Sequence, residues 1–109
     1  MCEKFAQSVL LNSLCRNIHQ GNVDRGFYDG LDPTNEYHVS TKLMLIVGEL
    51  SEAVEEMRKG DKEAFDEEIA DVAIRLFDLC GFLKIDLAKE ITEKVTYNAT
   101  RGVRHGKKF

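Results

Sequence analysis

Proline, the residue that breaks helices most strongly, occurs only once in this chain. The 109 residues include a single proline, Pro33, and it lies within residues 20–37, which are rich in Gly, Asp and Asn. Proline interrupts helices because it lacks a backbone donor, and glycine does so because its backbone is too free. The sequence therefore predicts an all-α protein whose long helices flank a loop over residues 20–37.

Four helices follow from the spacing of apolar residues and from residues suited to helix ends. The predicted helices cover residues 3–19, Ser40 or Thr41 to Lys59, Asp61 to Lys84, and Leu87 to about Arg101. Asp61 and Asp86 can cap the third and fourth helices with their side-chain oxygens. Gly60 and Gly102 suit the left-handed conformation that commonly ends a helix. The short second and third connections predict antiparallel packing in a four-helix bundle.

The chain is long enough for one domain, residues 1–109, with a thin core. A domain of this size buries roughly 60–65% of the surface that its unfolded chain exposes, so a homodimer or homotetramer is expected to supply the missing core. The sequence shows no signal peptide and no apolar run long enough to span a membrane. The three cysteines lack the spacing of a zinc site, which favours reduced thiols in a cytoplasmic protein.

Charge is distributed unevenly along the chain. All 19 acidic residues lie at or before Glu93, whereas the last 16 residues carry five basic side chains and no acidic one. An acidic body with a basic end suits a site that binds cations and phosphates together, although a solvated tail without a role explains the same pattern. The sequence pI near 5.4 argues against nucleic acid as a partner.

Two acidic pairs are the candidate metal ligands. The second predicted helix carries Glu49-x-x-Glu52, and the third carries Glu68-x-x-Asp71. Residues three apart share a helix face, and antiparallel packing can bring the two pairs together. The third helix is apolar nearly all round, and buried carboxylates are costly unless they are paired or bind a metal. Four carboxylates without His or Cys suit Mg²⁺, with Mn²⁺ as a possible substitute.

Simpler interpretations of these charged residues stay open. Glu49, Glu52 and Glu56 lie roughly opposite the apolar stripe of the second helix, which is also the pattern of a solvated face. In the third helix, Arg75 is expected to pair with Asp78, about one turn away, in an internal row of ion pairs. That row would account for Asp78 but would leave Glu68 and Asp71 with an excess of negative charge.

The basic end of the chain is expected to bind phosphate groups. Lys94, Asn98 and Arg101 are spaced so that they share one face of the fourth helix. The tail over residues 102–109 adds Arg104, Lys107 and Lys108. Arg can hold phosphate oxygens bidentately, and Lys acts as a point charge. The sequence contains no glycine-rich loop of the P-loop or dinucleotide-binding type.

Together, these motifs resemble one known family. Glu-x-x-Glu, a short spacer and Glu-x-x-Asp in the segment I-A-D-V-A-I-R-L are similar to the MazG-like all-α nucleoside triphosphate pyrophosphohydrolases. The K-x-x-Y-N-x-x-R helix and the R-H-G-K-K tail extend the resemblance over residues 40–109. It implies a MazG-type bundle completed by oligomerisation, and Mg²⁺-dependent hydrolysis of a (deoxy)nucleoside triphosphate to the monophosphate and pyrophosphate.

The resemblance also implies roles for individual residues, carried over by position. The metal ligands would be Glu49, Glu52, Glu68 and Asp71. The triphosphate contacts would be Lys94, Asn98, Arg101, Arg104, Lys107 and Lys108. The family often has tandem acids, Glu-Glu-x-x-Glu, whereas here the first position is Gly48. Glu55 or Glu56 could substitute, and Glu56 is better placed because it lies four residues after Glu52 on the same face, so the catalytic carboxylates would be Glu49, Glu52 and Glu56.

Two other functions are compatible with the sequence. One is phosphoribosyl-ATP pyrophosphohydrolase, an enzyme of the same fold that differs in its substrate. The other is a non-catalytic helical interaction module whose acidic face docks a basic partner. The sequence does not identify the preferred base or sugar of a nucleotide substrate. Candidate contacts to the base are Asn12, Phe27, Tyr28 and His38.

Overall fold

The computed structural model describes residues 3–101, and these form four helices and no strand. The helices are α1 (Glu3–Asp24), α2 (Glu36–Lys59), α3 (Lys62–Leu83) and α4 (Leu87–Ala99). The predicted all-α class is therefore confirmed for this part of the chain. The predicted stop at Gly102 and the basic tail over 102–109 lie outside the described residues.

The residues expected to end and begin the central helices do so. Gly60 closes α2 in the left-handed conformation, with φ of 76°. Asp61 caps α3 by accepting a hydrogen bond from the Ala64 backbone, and Asp86 caps α4 in the same way through Lys89. Each cap satisfies a backbone donor or acceptor that the helix itself leaves without a partner.

The loop between α1 and α2 is shorter than the sequence predicted. The first helix continues to Asp24, and α2 begins at Glu36 rather than near Ser40. Asn35 is the N-cap of α2, because its side-chain oxygen accepts from two backbone N–H groups of the first turn. Thr41, an expected cap, instead donates its hydroxyl to the Tyr37 carbonyl one turn earlier. Tertiary contacts and a better cap therefore outweighed the local glycine and asparagine content.

Contacts divide the chain into two units, one of which spans Leu14–Ile85. In this unit α2 and α3 pack as an antiparallel hairpin, joined by the turn at Gly60 and Asp61. Its apolar core is a cluster of Tyr28, Leu79 and Phe82, with Leu31, Ile46 and Leu83 packed against it. The segment between α1 and α2 thus supplies core residues and is anchored to α3.

Gly81 lies where α1 and α3 approach each other closely within this unit. A β-carbon added at position 81 would clash with the side chain of His19 and would lie 2.9 Å from the Cys15 carbonyl oxygen. Real side chains do not tolerate that distance without a shift of the neighbouring backbone. The packing of α1 against α3 therefore requires glycine at position 81.

Among the described residues, the second unit combines residues 3–13 with residues 86–101. Here Asn12 of α1 binds the start of α4 in two ways. Its amide donates to the Asp86 carboxylate at 2.9 Å, and its oxygen accepts from the Ala88 backbone at 3.2 Å. Asn12, a candidate contact to a nucleotide base, is thus engaged in holding the end of a helix.

The described residues form a thin core, as expected for a chain of this length. The buried apolar residues are Cys15, Tyr28, Ala53, Leu79, Cys80, Phe82 and Ala88. By contrast, the apolar stripe of α2 is between 42% and 61% exposed at Val47, Leu50, Val54 and Met57. None of the helices within residues 3–101 combines the length and apolar character needed to cross a bilayer.

Candidate metal centre

Three of the four predicted metal ligands converge where α2 and α3 pack together. One carboxylate oxygen from each of Glu49, Glu68 and Asp71 can be chosen so that all three lie within 4.8 Å of one another. Glu49 comes from α2, and the other two come from adjacent turns of α3. The antiparallel hairpin therefore produces the predicted arrangement, in which acids from two helices face each other.

The fourth predicted ligand, Glu52, joins the cluster through Glu68. Burial raises the pKa of Glu68 to about 7, and contacts with the carboxyl groups of Glu52 and Glu49 act in the same direction. One Glu68 oxygen, Oε2, is buried and has no hydrogen-bond partner among the described residues. A buried oxygen without a partner is costly, and a bound cation would compensate it.

Arg75 binds Glu49 and not Asp78, so the predicted Arg75–Asp78 ion pair is wrong. The guanidinium donates from Nε to the Glu49 carboxylate at 2.7 Å across the two helices. This hydrogen bond is the main reason why the pKa of Glu49 is lowered. The prediction relied on acidic residues one turn away on α3 itself, whereas the carboxylate that Arg75 binds lies on the neighbouring helix α2. Arg75 offsets part of the cluster's charge and fixes the position of the Glu49 carboxylate.

Asp78 belongs to a buried polar network that the sequence did not reveal. Its two oxygens bind different groups: Tyr28 donates its hydroxyl to Oδ2 at 2.6 Å, and His19 Nδ1 lies 3.0 Å from Oδ1. Burial and the adjacent Asp78 raise the pKa of Tyr28, so its hydroxyl stays protonated and donates. The His19 and Tyr28 rings meet edge to face at 4.5 Å between centroids. No local motif connects residues 19, 28 and 78.

Glu56, the expected substitute for the missing tandem acid, is engaged elsewhere. Its carboxylate accepts from Lys59 at 3.4 Å, and it is not one of the three converging ligands. A role for Glu56 in activating water therefore stays a prediction. At Gly48, where the family often has an acid, a β-carbon would meet nothing within 4 Å. Lack of space for a side chain therefore does not explain why glycine stands at position 48, where MazG-like enzymes often have an acid.

The predicted phosphate-binding residues lie in the second unit or outside the described part of the chain. Lys94 and Asn98 are exposed on α4. Arg101 follows the end of that helix, and its guanidinium lies 4.9 Å from the centre of the Tyr97 ring. The tail residues Arg104, Lys107 and Lys108 fall outside residues 3–101. Contact of any of these residues with a triphosphate stays a prediction.

A cavity of about 310 Å³ adjoins the carboxylate cluster on the Leu14–Ile85 unit. It is lined by Asn22, Phe27, Glu49, Asp71, Ile74, Arg75 and Asp78. Of the candidate base contacts, Phe27 lies on its wall. Tyr28 is in the apolar core instead, and His38 accepts a hydrogen bond from the Asp32 backbone. Asn22 was not among the predicted site residues, because it lies beyond the end predicted for the first helix.

The donor set fits a hard divalent cation. All of the converging groups are carboxylates, and one of their oxygens lacks any other partner among the described residues. Oxygen-only sites of this kind suit Mg²⁺ or Mn²⁺ rather than zinc, which prefers nitrogen and sulfur ligands. Comparisons with protein-family models, curated proteins and solved structures find no match to this chain.

Proposed function

We propose that the chain is a Mg²⁺-dependent hydrolase that cleaves a nucleoside triphosphate to the monophosphate and pyrophosphate, in the manner of the MazG-like enzymes it resembles. The observations that support this most directly are the convergence of Glu49, Glu68 and Asp71 and the buried oxygen of Glu68 that lacks a hydrogen-bond partner among the described residues. A purely structural cluster would be expected to pair that oxygen. The cavity beside the cluster provides room for a substrate.

In this proposal Glu49, Glu52, Glu68 and Asp71 hold the metal. Bound Mg²⁺ supplies a water of lowered pKa and neutralises charge on the phosphates. Arg75 keeps the Glu49 carboxylate in position through their 2.7 Å contact. Lys94, Asn98 and Arg101, with the tail residues Arg104, Lys107 and Lys108, are proposed to bind the triphosphate. Positive charge at that end of the substrate would stabilise the departing pyrophosphate.

The first test is pyrophosphate release by the purified protein with Mg²⁺ or Mn²⁺ across the common ribo- and deoxyribonucleoside triphosphates. We expect turnover of one or a few substrates, and complete loss of it with a chelator. Turnover of phosphoribosyl-ATP alone would favour the related enzyme of histidine biosynthesis. If neither class of substrate is cleaved and Mg²⁺ with nucleotide does not raise the melting temperature, a non-catalytic interaction module replaces the enzyme.

We further propose that the protein is a homodimer or homotetramer. Leu43, Val47, Leu50, Val54 and Met57 repeat at intervals of four and three residues along α2, and each is more than 40% exposed. This is the apolar spacing of a helix that packs lengthwise against another helix. Exposed apolar surface of this extent is characteristic of an interface, and the same stripe on a second copy would cover it.

Replacing Val47 and Val54 with Glu should convert the oligomer into a monomer, because charge cannot be buried along such a seam. Light scattering coupled to size exclusion measures the change in mass. The matched control is Ser51→Glu, which adds charge to the same helix at an exposed position outside the stripe. A wild-type protein that is monomeric at high concentration would contradict the proposed assembly.

A further inference from the structure

We propose that the cavity beside the carboxylate cluster binds the nucleobase of the substrate, with Phe27 stacking on the base and Asn22 donating a hydrogen bond to it. This inference rests on the proposed function, because it assumes a nucleotide at the site. The cavity measures about 310 Å³ and has Glu49 and Asp71 on its wall together with Phe27 and Asn22. A nucleotide could thus place its phosphates towards the carboxylates and its base between the other two residues.

Phe27 has the properties of a stacking platform. Phe27 is 60% exposed, although it follows a helix that packs in the folded unit. An exposed aromatic ring does not gain the free energy that its burial would provide. The Arg25 guanidinium lies 5.6 Å from the ring centre and helps to fix the ring. Any of the common bases can stack on such a ring, because every base has an aromatic face.

Asn22 lines the cavity, and its side-chain oxygen already accepts one hydrogen bond. Arg25 donates to the Asn22 side-chain oxygen at 2.6 Å, and this contact fixes which way the amide faces. The amide N–H groups remain to donate to a carbonyl or ring nitrogen of a base. Arg25 thus contacts two residues of the cavity lining, since it donates to Asn22 and lies near the Phe27 ring.

Asp78 complements Asn22 with an acceptor. Each of its oxygens receives one contact, from Tyr28 or His19, whereas a carboxylate can accept about four hydrogen bonds in total. Asp78 also lines the cavity, so it can accept from an N–H group of the bound base. The edge of a nucleobase carries both hydrogen-bond acceptors and N–H donors. The Asn22 amide can donate to such an acceptor, and the Asp78 carboxylate can accept from such a donor. An aromatic platform with this pair is suited to a base rather than to a simple apolar ligand.

The test measures base binding separately from hydrolysis. Each common nucleoside, which carries no phosphate, is titrated into the protein in the presence of a chelator, and binding is followed by NMR chemical shifts. We expect at least one nucleoside to bind, and Phe27→Ala to weaken its binding at least about tenfold, the scale of one lost base–aromatic stack. Phe27→Tyr should retain binding, since it keeps the ring. Asn22→Ala should weaken binding to a smaller extent.

A matched control is Phe5→Ala, which removes another exposed phenylalanine of the chain and should leave nucleoside affinity unchanged. Absence of binding by every nucleoside, or equal binding by the wild type and Phe27→Ala, would overturn the base site. Neither result depends on catalysis. If the enzyme releases pyrophosphate while Phe27→Ala keeps the wild-type KM for nucleotides, the function stands and the base site is wrong. Nucleoside binding that Phe27→Ala weakens, without pyrophosphate release, would support the base site and contradict the proposed hydrolysis.

Discussion

Glu68→Gln should abolish hydrolysis and at the same time raise the melting temperature of the metal-free protein. Glu68 lies within a group of carboxyl groups that repel one another, and one of its oxygens is buried without a hydrogen-bond partner among the described residues. The amide removes one negative charge and adds a donor for the neighbouring carboxylates, so it relieves the repulsion among them when no metal is bound. It is also a poorer metal ligand, and we expect kcat to fall at least about 100-fold.

Two assays check this prediction, pyrophosphate release and thermal melting with and without Mg²⁺. The wild type should be stabilised by the metal, whereas Glu68→Gln should start from a higher melting temperature and gain little. Glu67→Gln is the matched control, because Glu67 precedes it in α3 and is exposed to solvent. A Glu68→Gln protein with normal turnover would exclude Glu68 as a ligand. A lower melting temperature without metal would show that the carboxylate serves the fold.

Asp78→Ala should destabilise the Leu14–Ile85 unit by about 2–4 kcal/mol. Asp78 is 8% exposed, and its carboxylate contacts both Tyr28 and His19. Its removal leaves the buried Tyr28 hydroxyl without an acceptor and opens a gap beside Phe82 and the core. Urea unfolding followed by circular dichroism measures the change in the free energy of unfolding.

Two further variants distinguish the stability contributed by the Asp78 network from the effect of losing a negative charge on α3. Asp66→Ala also removes an acid from α3, but Asp66 is exposed and binds Lys62 on the surface, so the cost should stay within about 0.5 kcal/mol. Tyr28→Phe keeps the ring in the core and removes a single hydrogen bond, for an expected cost of about 1–2 kcal/mol. Equal stability of Asp78→Ala and Asp66→Ala would show that the buried network contributes nothing.

The sequence predicted those features that depend on residues close together in the chain. Gly60 and Asp61 ended one helix and began the next, and that turn determines how the acids of α2 and α3 face each other. Once the hairpin is antiparallel, the spacing of the two acidic pairs is sufficient to bring them together. The helix class and the carboxylate cluster were therefore accessible from local patterns.

Features that depend on contacts between distant segments were not predictable in this way. Arg75 had acidic neighbours one turn away on its own helix, and a carboxylate 26 residues earlier proved to be its partner. The pairing of Asp78 with Tyr28 spans 50 residues and has no motif. Asn22 was assigned to the loop because of the surrounding polar residues, whereas helix packing extends α1 past it. Tertiary packing outweighs local propensity in each case.

The width of the proposed base cavity depends on a residue that does not touch it. Gly81 lets α1 approach α3 at His19, and Asn22 lies one turn further along α1, on the cavity wall. Any side chain at position 81 would act as a spacer, displacing α1 and moving Asn22 away from Ile74 and Asp78. Affinity for a base would then change without the loss of a contacting group. A mutational screen for altered nucleotide preference should therefore include position 81 along with the lining of the cavity.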